Sequence, residues 1–395
     1  MTSVNDLTTH EAKAKWLVRQ AHANNGLAPL DTEKFWADQA VAAADPFGRR
    51  IPQVALGITM YGDAVYDELG IPEDCYRYGH DLAWRLEVNK AYNDKAEKII
   101  GRRPLSEVFD DPARRYPRVK DLADVFEAKN VWHDQSWWLQ QSAHNEDELK
   151  ALLDRVEQRD IRQFILPPNW AEEKARLQRL GVKPPRYRFL RGPVTFATSI
   201  YGGEDFLLLV LDNPDLAVRL RDAMIRSMLA IARVLDEEAG DAAAAPHGFQ
   251  FNDDNCCLMT PAMYELFGYP VLKTIFETFS PNAGDLRYQH SDSTMGHLMP
   301  ILSRLNMTGV NLGPTLRVDE IRAAMPRTII DGQLAPFTFS RNEEENIVME
   351  FLRDYELAGD ARGLRFATAG SINNGSRLTG MRLAMSAIQH FGRYE

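Results

Sequence analysis

Cysteine is scarce. The 395-residue chain has three, Cys75, Cys256 and Cys257. The last two are adjacent, where a disulfide would be strained. So sparse and odd a count predicts reduced thiols in an intracellular protein, not a stapled secreted scaffold. Long apolar runs are missing too. Nothing approaches the roughly 20 residues that cross a bilayer. The polar opening MTSVNDLTTHEAKAKW lacks the apolar stretch of a secretory signal. The expectation is a cytoplasmic protein with no membrane partner. Basic charge is outweighed, 46 Lys and Arg against 56 Asp and Glu, for a net −10. That argues against nucleic acid, whose phosphates need a basic face. Neither a G-x-G-x-x-G after a strand nor a phosphate-binding P-loop occurs, which disfavours a Rossmann dehydrogenase.

What is present is an alternation. Residues 5–44 read as two helices, with Asp6 or Thr8 capping the first and Asp31 the second. From residue 51 onward, short β-branched or aromatic runs recur. They are IPQVALGI (51–58), RQFILPP (162–168), RYRFLRGP (186–193), HGFQFNDD (247–254), LRYQHSD (286–292), TGVNLGP (308–314), TIIDGQL (328–334) and LRFATAG (364–370). Helical stretches separate most of them. Eight strands alternating with helices predict a (β/α)8 TIM barrel; a doubly wound open sheet is the competitor. The expectation is one domain over 1–395. It carries an N-terminal helical extension (1–50) and a helical insertion or lid (59–161) near the barrel mouth. Trp132, Trp137 and Trp138 lie in that insertion, either facing a ligand or packing it onto the barrel.

A TIM barrel keeps its chemistry at the C-terminal ends of its strands. The runs deliver to that end Arg191, then Asp253, Asp254 and Asn255, then His290 and Asp292, then Asp331 and Gln333, and finally Ser371. Carboxylates beside a histidine suit proton transfer, and an arginine suits an anionic substrate. Each residue also has a plain structural reading. Asp253 or Asp254 can cap a turn or the helix from Thr260, His290 can be a hydrogen-bonded core histidine, and Asp292 can cap the next helix. His297 reads as structural. Only their convergence at one end of the barrel points to a site.

Four stretches in order resemble the uroporphyrinogen decarboxylase superfamily. They are RGPVTFATSIYGGEDFLLLVLDNPDLAVRL, FNDDNCCLMTPAMYELFGYPVLKTI, YQHSDS and AGSINNGSRLTGMRLAMSAIQHFGRY. The resemblance implies a TIM barrel with its pocket at the C-terminal face, and often a dimer. The haem-pathway decarboxylases carry an N-terminal Met-Arg-Gln-Ala-Gly-Arg loop for substrate carboxylates, which this chain lacks. The thiol-methylating members hold zinc with His-x-Cys and a later Cys. Here those positions read His290-Ser291-Asp292 and Ser371, so both thiolates are gone, and zinc at His290 would be a harder, weaker site. Cys256 and Cys257, just past the fourth run, are the other thiols that could substitute, although nothing in their spacing says so.

Three functions follow. The first is methyl transfer from a small donor, an aryl ether or similar, to a corrinoid on a partner protein, with His290, Asp292, Asp253 or Asp254 as acid, and Arg191, Asn255, Asp331, Gln333, Ser371 and Trp137 around the substrate. The second is decarboxylation of a tetrapyrrole or other carboxylated ring, with Arg191, Arg287, Arg102 and Arg103 as cations. The third is a non-catalytic barrel that binds a tetrapyrrole or small ligand.

Overall fold

The structure is a computed structural model that describes residues 7–50, 53–108, 111–240 and 244–394. Nine strands are named in chain order: β1 (Ala55–Leu56), β2 (Asn130–His133), β3 (Ser136–Leu139), β4 (Phe189–Arg191), β5 (Phe249–Asn252), β6 (Arg287–Ser291), β7 (Gly309–Leu312), β8 (Ile329–Leu334) and β9 (Leu364–Thr368). Apart from the β2–β3 pair, all run parallel to a neighbour and alternate with helices, as an α/β chain requires. The chain divides into two compact units.

The first unit comprises Met1–Phe109, Asp292–Gly296 and Gly309–Glu395. Its strands lie in the order β1, β9, β8, β7, and β7 is buried along its whole length, as expected of a strand covered on both faces. The N-terminal helices form as expected, with a small change of cap. Thr9, not Thr8, accepts a bond from Ala12 N at 3.1 Å to start His10–Ala23; Asp6 lies outside the described residues. Asp31 caps Thr32–Ala44 through Lys34 N at 3.0 Å. These helices are fastened to the last one, Leu378–Phe391. Arg382 Nε donates to Ala28 O at 2.7 Å, and Trp16 packs its ring on His390.

The second unit comprises Asp110–Ser291 and His297–Thr308. Its strands lie in the order β6, β5, β4. Two expectations are corrected here. The run at 162–168 is not a strand. Asp160 accepts from Gln163 N at 3.1 Å and starts the helix Ile161–Ile165, so a helix cap overrides the β-prone Ile and Phe. The insertion is also not purely helical, because β2 and β3 form an antiparallel hairpin. Its turn residues Asp134 and Gln135 both have positive φ, 47° and 59°, the backbone a two-residue hairpin turn requires. Trp132 pairs with Trp137 across it, rings edge to face at 5.2 Å.

Alternation along β5 sorts its two faces. Phe249 and Phe251 are buried against Phe279 and Phe276 of the helix Gly268–Phe279, while Gln250 and Asn252 point the other way and are half-buried.

Among the described residues no single helix is long and apolar enough to cross a membrane.

Candidate active site

The second unit's three parallel strands are in register at their C-terminal ends. Arg191 pairs with Asn252, and Asn252 with His290. Residues paired this way in a parallel sheet project from the same face, so Arg191, Asn252 and His290 form one row, the opposite face to the phenylalanines. The row below it is Phe189, Gln250 and Tyr288. Sequence reading found Arg191 and His290 but missed Asn252, Gln250, Phe189 and Tyr288. Their signal was the alternation in HGFQFNDD and RYRFLR, once the strands are aligned.

Just past β5 the chain turns through a tight helical stretch, Asp254–Leu258. This brings Asp254 Oδ1 to 3.7 Å from His290 Nε2, within ion-pair range. The His290 side chain is 18% exposed and that of Asp254 37%. Both are therefore reachable, and His290 is no sealed core residue. A polar pair sits at a strand end, in the row that holds a guanidinium.

The neighbouring aspartate has another position. Asp253 is fully buried. Its Oδ1 accepts from Thr195 N at 2.8 Å, at the start of the helix Pro193–Tyr201, and its own N–H donates to His290 O at 2.9 Å. Asp253 thus ties β5 to β6 and caps a helix that begins 60 residues earlier in the chain. Burial pushes its carboxyl up to about 7, against the lowering effect of the Thr195 bond. The aspartate that caps is Asp253, but the helix is not the one from Thr260, whose own hydroxyl caps Pro261–Leu266. Asn255 also secures this turn: its N–H donates to Thr195 Oγ1 at 3.0 Å and its Nδ2 to Thr198 Oγ1 at 2.7 Å.

Gly192 explains how close these parts come. A Cβ there would collide with Asp253 Cβ and Cγ. Gly192→Ala is therefore expected to destabilise the protein by about 2 kcal/mol or more, the range of overpacking in a tight core. A urea melt of the variant measures it, and an unchanged midpoint would contradict the packing described.

Cys256 is no metal ligand in this arrangement. Its thiol is buried and donates to Asp253 O at 2.7 Å, and burial pushes it well above the ordinary thiol range. None of the three cysteines is in a disulfide. The donors to hand in this unit are an imidazole and a carboxylate, a set that fits a divalent ion held by nitrogen and oxygen and does not fit a thiolate-rich zinc. His297 Nε2 bonds Met259 O at 2.9 Å and is structural, as expected. Trp137 lies on the hairpin, 47% exposed.

The remaining candidates belong to the first unit. Asp292 is exposed and packs its Cβ against Gly370, whose φ of 106° and lack of side chain make the space. Asp331 is buried and paired with Arg365 Nη1 at 3.1 Å. Gln333 is buried, and its Nε2 donates to Gly313 O at 3.1 Å and Leu316 O at 2.8 Å. Both have structural partners. Ser371 stands exposed after β9.

The strand and helix order, with polar groups at strand ends, defines an α/β barrel protein. The chain belongs to the uroporphyrinogen decarboxylase (URO-D) family, which it matches over residues 175–390, more than half its length. Its fold is the TIM barrel of that family. A methyltransferase from Methanosarcina mazei is similar in structure, with a TM-score of 0.54 over 89% of this chain and 98% of that one, at 14% identity. Among curated proteins none matches this sequence.

Proposed function

We propose that the protein removes a methyl group from a small aromatic donor and passes it to a corrinoid carried by a partner protein. The observation that carries this reading is the pair His290 and Asp254, reachable at the end of β5 and β6 and in line with Arg191. Membership of the URO-D family and a structural neighbour named as a methyltransferase support the general kind of chemistry.

The chemistry asks for an acid. When a methyl group leaves an aryl ether as an electrophile, the electron pair of the C–O bond stays on oxygen. That oxygen must take a proton or a positive charge. In this reading the His290 imidazole delivers the proton, with the Asp254 carboxylate beside its Nε2. A divalent ion on His290 and Asp254, when bound, would supply a Lewis acid in the same place.

The decarboxylase reading is weaker because three of its four cations are engaged elsewhere. Arg287 bonds Ser280 O through two nitrogens, Arg103 is paired with Asp94 and Glu107, and Arg102 lies over the Trp36 ring. The test is to mix the protein with cob(I)alamin and methoxylated benzoates or phenols, and to follow the corrinoid spectrum and the demethylated phenol. The expected result is one phenol formed per methylated corrinoid. Bound ligand without turnover across the panel would favour a binding barrel.

A further inference from the structure

The free side of β4 borders a cavity in the second unit. Its volume is about 280 Å³. That is just below the range of drug-sized ligand pockets, about 300 to 1,000 Å³, and suits a single ring. Its walls are mostly apolar: Leu122, Leu139 of the hairpin, Phe189, and Phe196 at the base, which is 2% exposed. Four polar residues interrupt them, Asp121, Asn130, Tyr187 and Arg191. The Tyr187 hydroxyl is buried close to the Leu122 backbone N–H. Arg191 stands on the rim, and the one hydrogen bond its guanidinium makes among the described residues goes to a neutral group, Ser199 Oγ at 3.2 Å.

An apolar slot with an arginine that has no carboxylate partner among the described residues describes a chemical class. Flat rings fill the slot, and a carboxylate on the ring takes the guanidinium in a two-point pair. One acid also borders the cavity, Asp121. Its Oδ1 accepts from Ala123 N at 2.9 Å and Asp124 N at 3.2 Å, so the carboxyl is committed to capping the helix Leu122–Val125. Burial raises its carboxyl from the ordinary range, which lessens its repulsion of an anion.

We infer that this cavity binds a single-ring aromatic carboxylate, with Arg191 on the carboxylate and the Leu122, Leu139 and Phe196 walls on the ring. As a statement about the substrate, this rests on the methyl-transfer reading. As a statement about binding, it stands by itself. Arg191 shares its row with His290, two strands across, a backbone span of about 10 Å.

The test is binding, measured by calorimetry and ligand-observed NMR on the whole chain with no corrinoid present. The probes are 4-methoxybenzoate and its neutral counterpart anisole. Wild type is expected to bind the acid more tightly. Arg191→Met should weaken the acid by at least about tenfold, the effect of losing a charge-assisted pair, and leave anisole unchanged. Arg191→Lys should recover part of the loss. Leu139→Trp, on an exposed hairpin, should fill the slot and block both probes. Equal binding of acid and anisole, an Arg191→Met variant with wild-type affinity, or no binding of the acid at millimolar concentration would each overturn the inference. Acid binding that depends on Arg191 without demethylation would overturn the methyl-transfer reading alone.

Discussion

Replacing His290 with alanine is expected to lower turnover by about a hundred-fold to ten-thousand-fold, the usual worth of a positioned acid or base. The fold should survive. The imidazole is partly open to solvent, and the aspartate it pairs with is itself about a third exposed. A change within about 1 kcal/mol of wild type is expected in a denaturant melt. The two readouts separate the roles. Lost activity with an intact melt marks a residue of the reaction. A melt shifted far downward would make His290 structural and leave the chemistry to other groups. Asp254→Asn should produce a smaller loss, because it acts through the ring. Metal content measured on protein purified without a chelator or a His-tag adds a third readout. A bound ion that disappears in His290→Ala would place Lewis-acid chemistry at this pair.

The second large effect concerns pH. Asp253 holds its proton up to about 7 in the folded protein, because it is sealed from water. In the unfolded chain an aspartate releases its proton near pH 3.9. Between those values the folded state carries the extra proton, so stability falls as pH rises. The loss from this group begins near pH 4, ends near pH 7, and amounts to a few kcal/mol at about 1.4 per pH unit. Asp354, buried beside Arg353 and raised to about 6 by burial, acts in the same direction. Asp253→Asn keeps an acceptor for Thr195 N and cannot ionise. Its denaturation midpoint should change less between pH 4 and 7 than that of wild type. It should match wild type or fall slightly below it near pH 4, and exceed it at pH 8. Parallel pH profiles for the two proteins would mean that Asp253 does not titrate in that window.

Much of the barrel could be read from the chain, because parallel strands declare themselves as short β-branched runs between amphipathic helices. Seven of the eight expected runs hold strands. The eighth, 162–168, failed because a single aspartate, Asp160, satisfies the backbone donors of a helix start, and no hydrophobic pattern registers that. The hairpin was hidden for the opposite reason. NVWHDQSWWL carries few β-branched residues, and its turn, Asp134-Gln135, lacks the glycine that usually announces one. Within the site, the sequence supplied residue types at strand ends but not their facing. Asp253 and Asp254 are adjacent and chemically identical. One is buried under a helix start 60 residues away and the other is open beside His290, a difference made only by tertiary contact. The row Arg191, Asn252 and His290 likewise depends on strand register, which no one strand encodes.

The most direct measurement is a single turnover of 4-methoxybenzoate labelled with ¹³C in the methyl group and with ¹⁴C in the carboxyl, with cob(I)alamin as acceptor. The account predicts that the methyl label moves to the corrinoid while the carboxyl label stays on the ring as 4-hydroxybenzoate, and that His290→Ala stops the movement. Release of the carboxyl label as carbon dioxide, with the methoxy group intact, would contradict it and make the protein a decarboxylase.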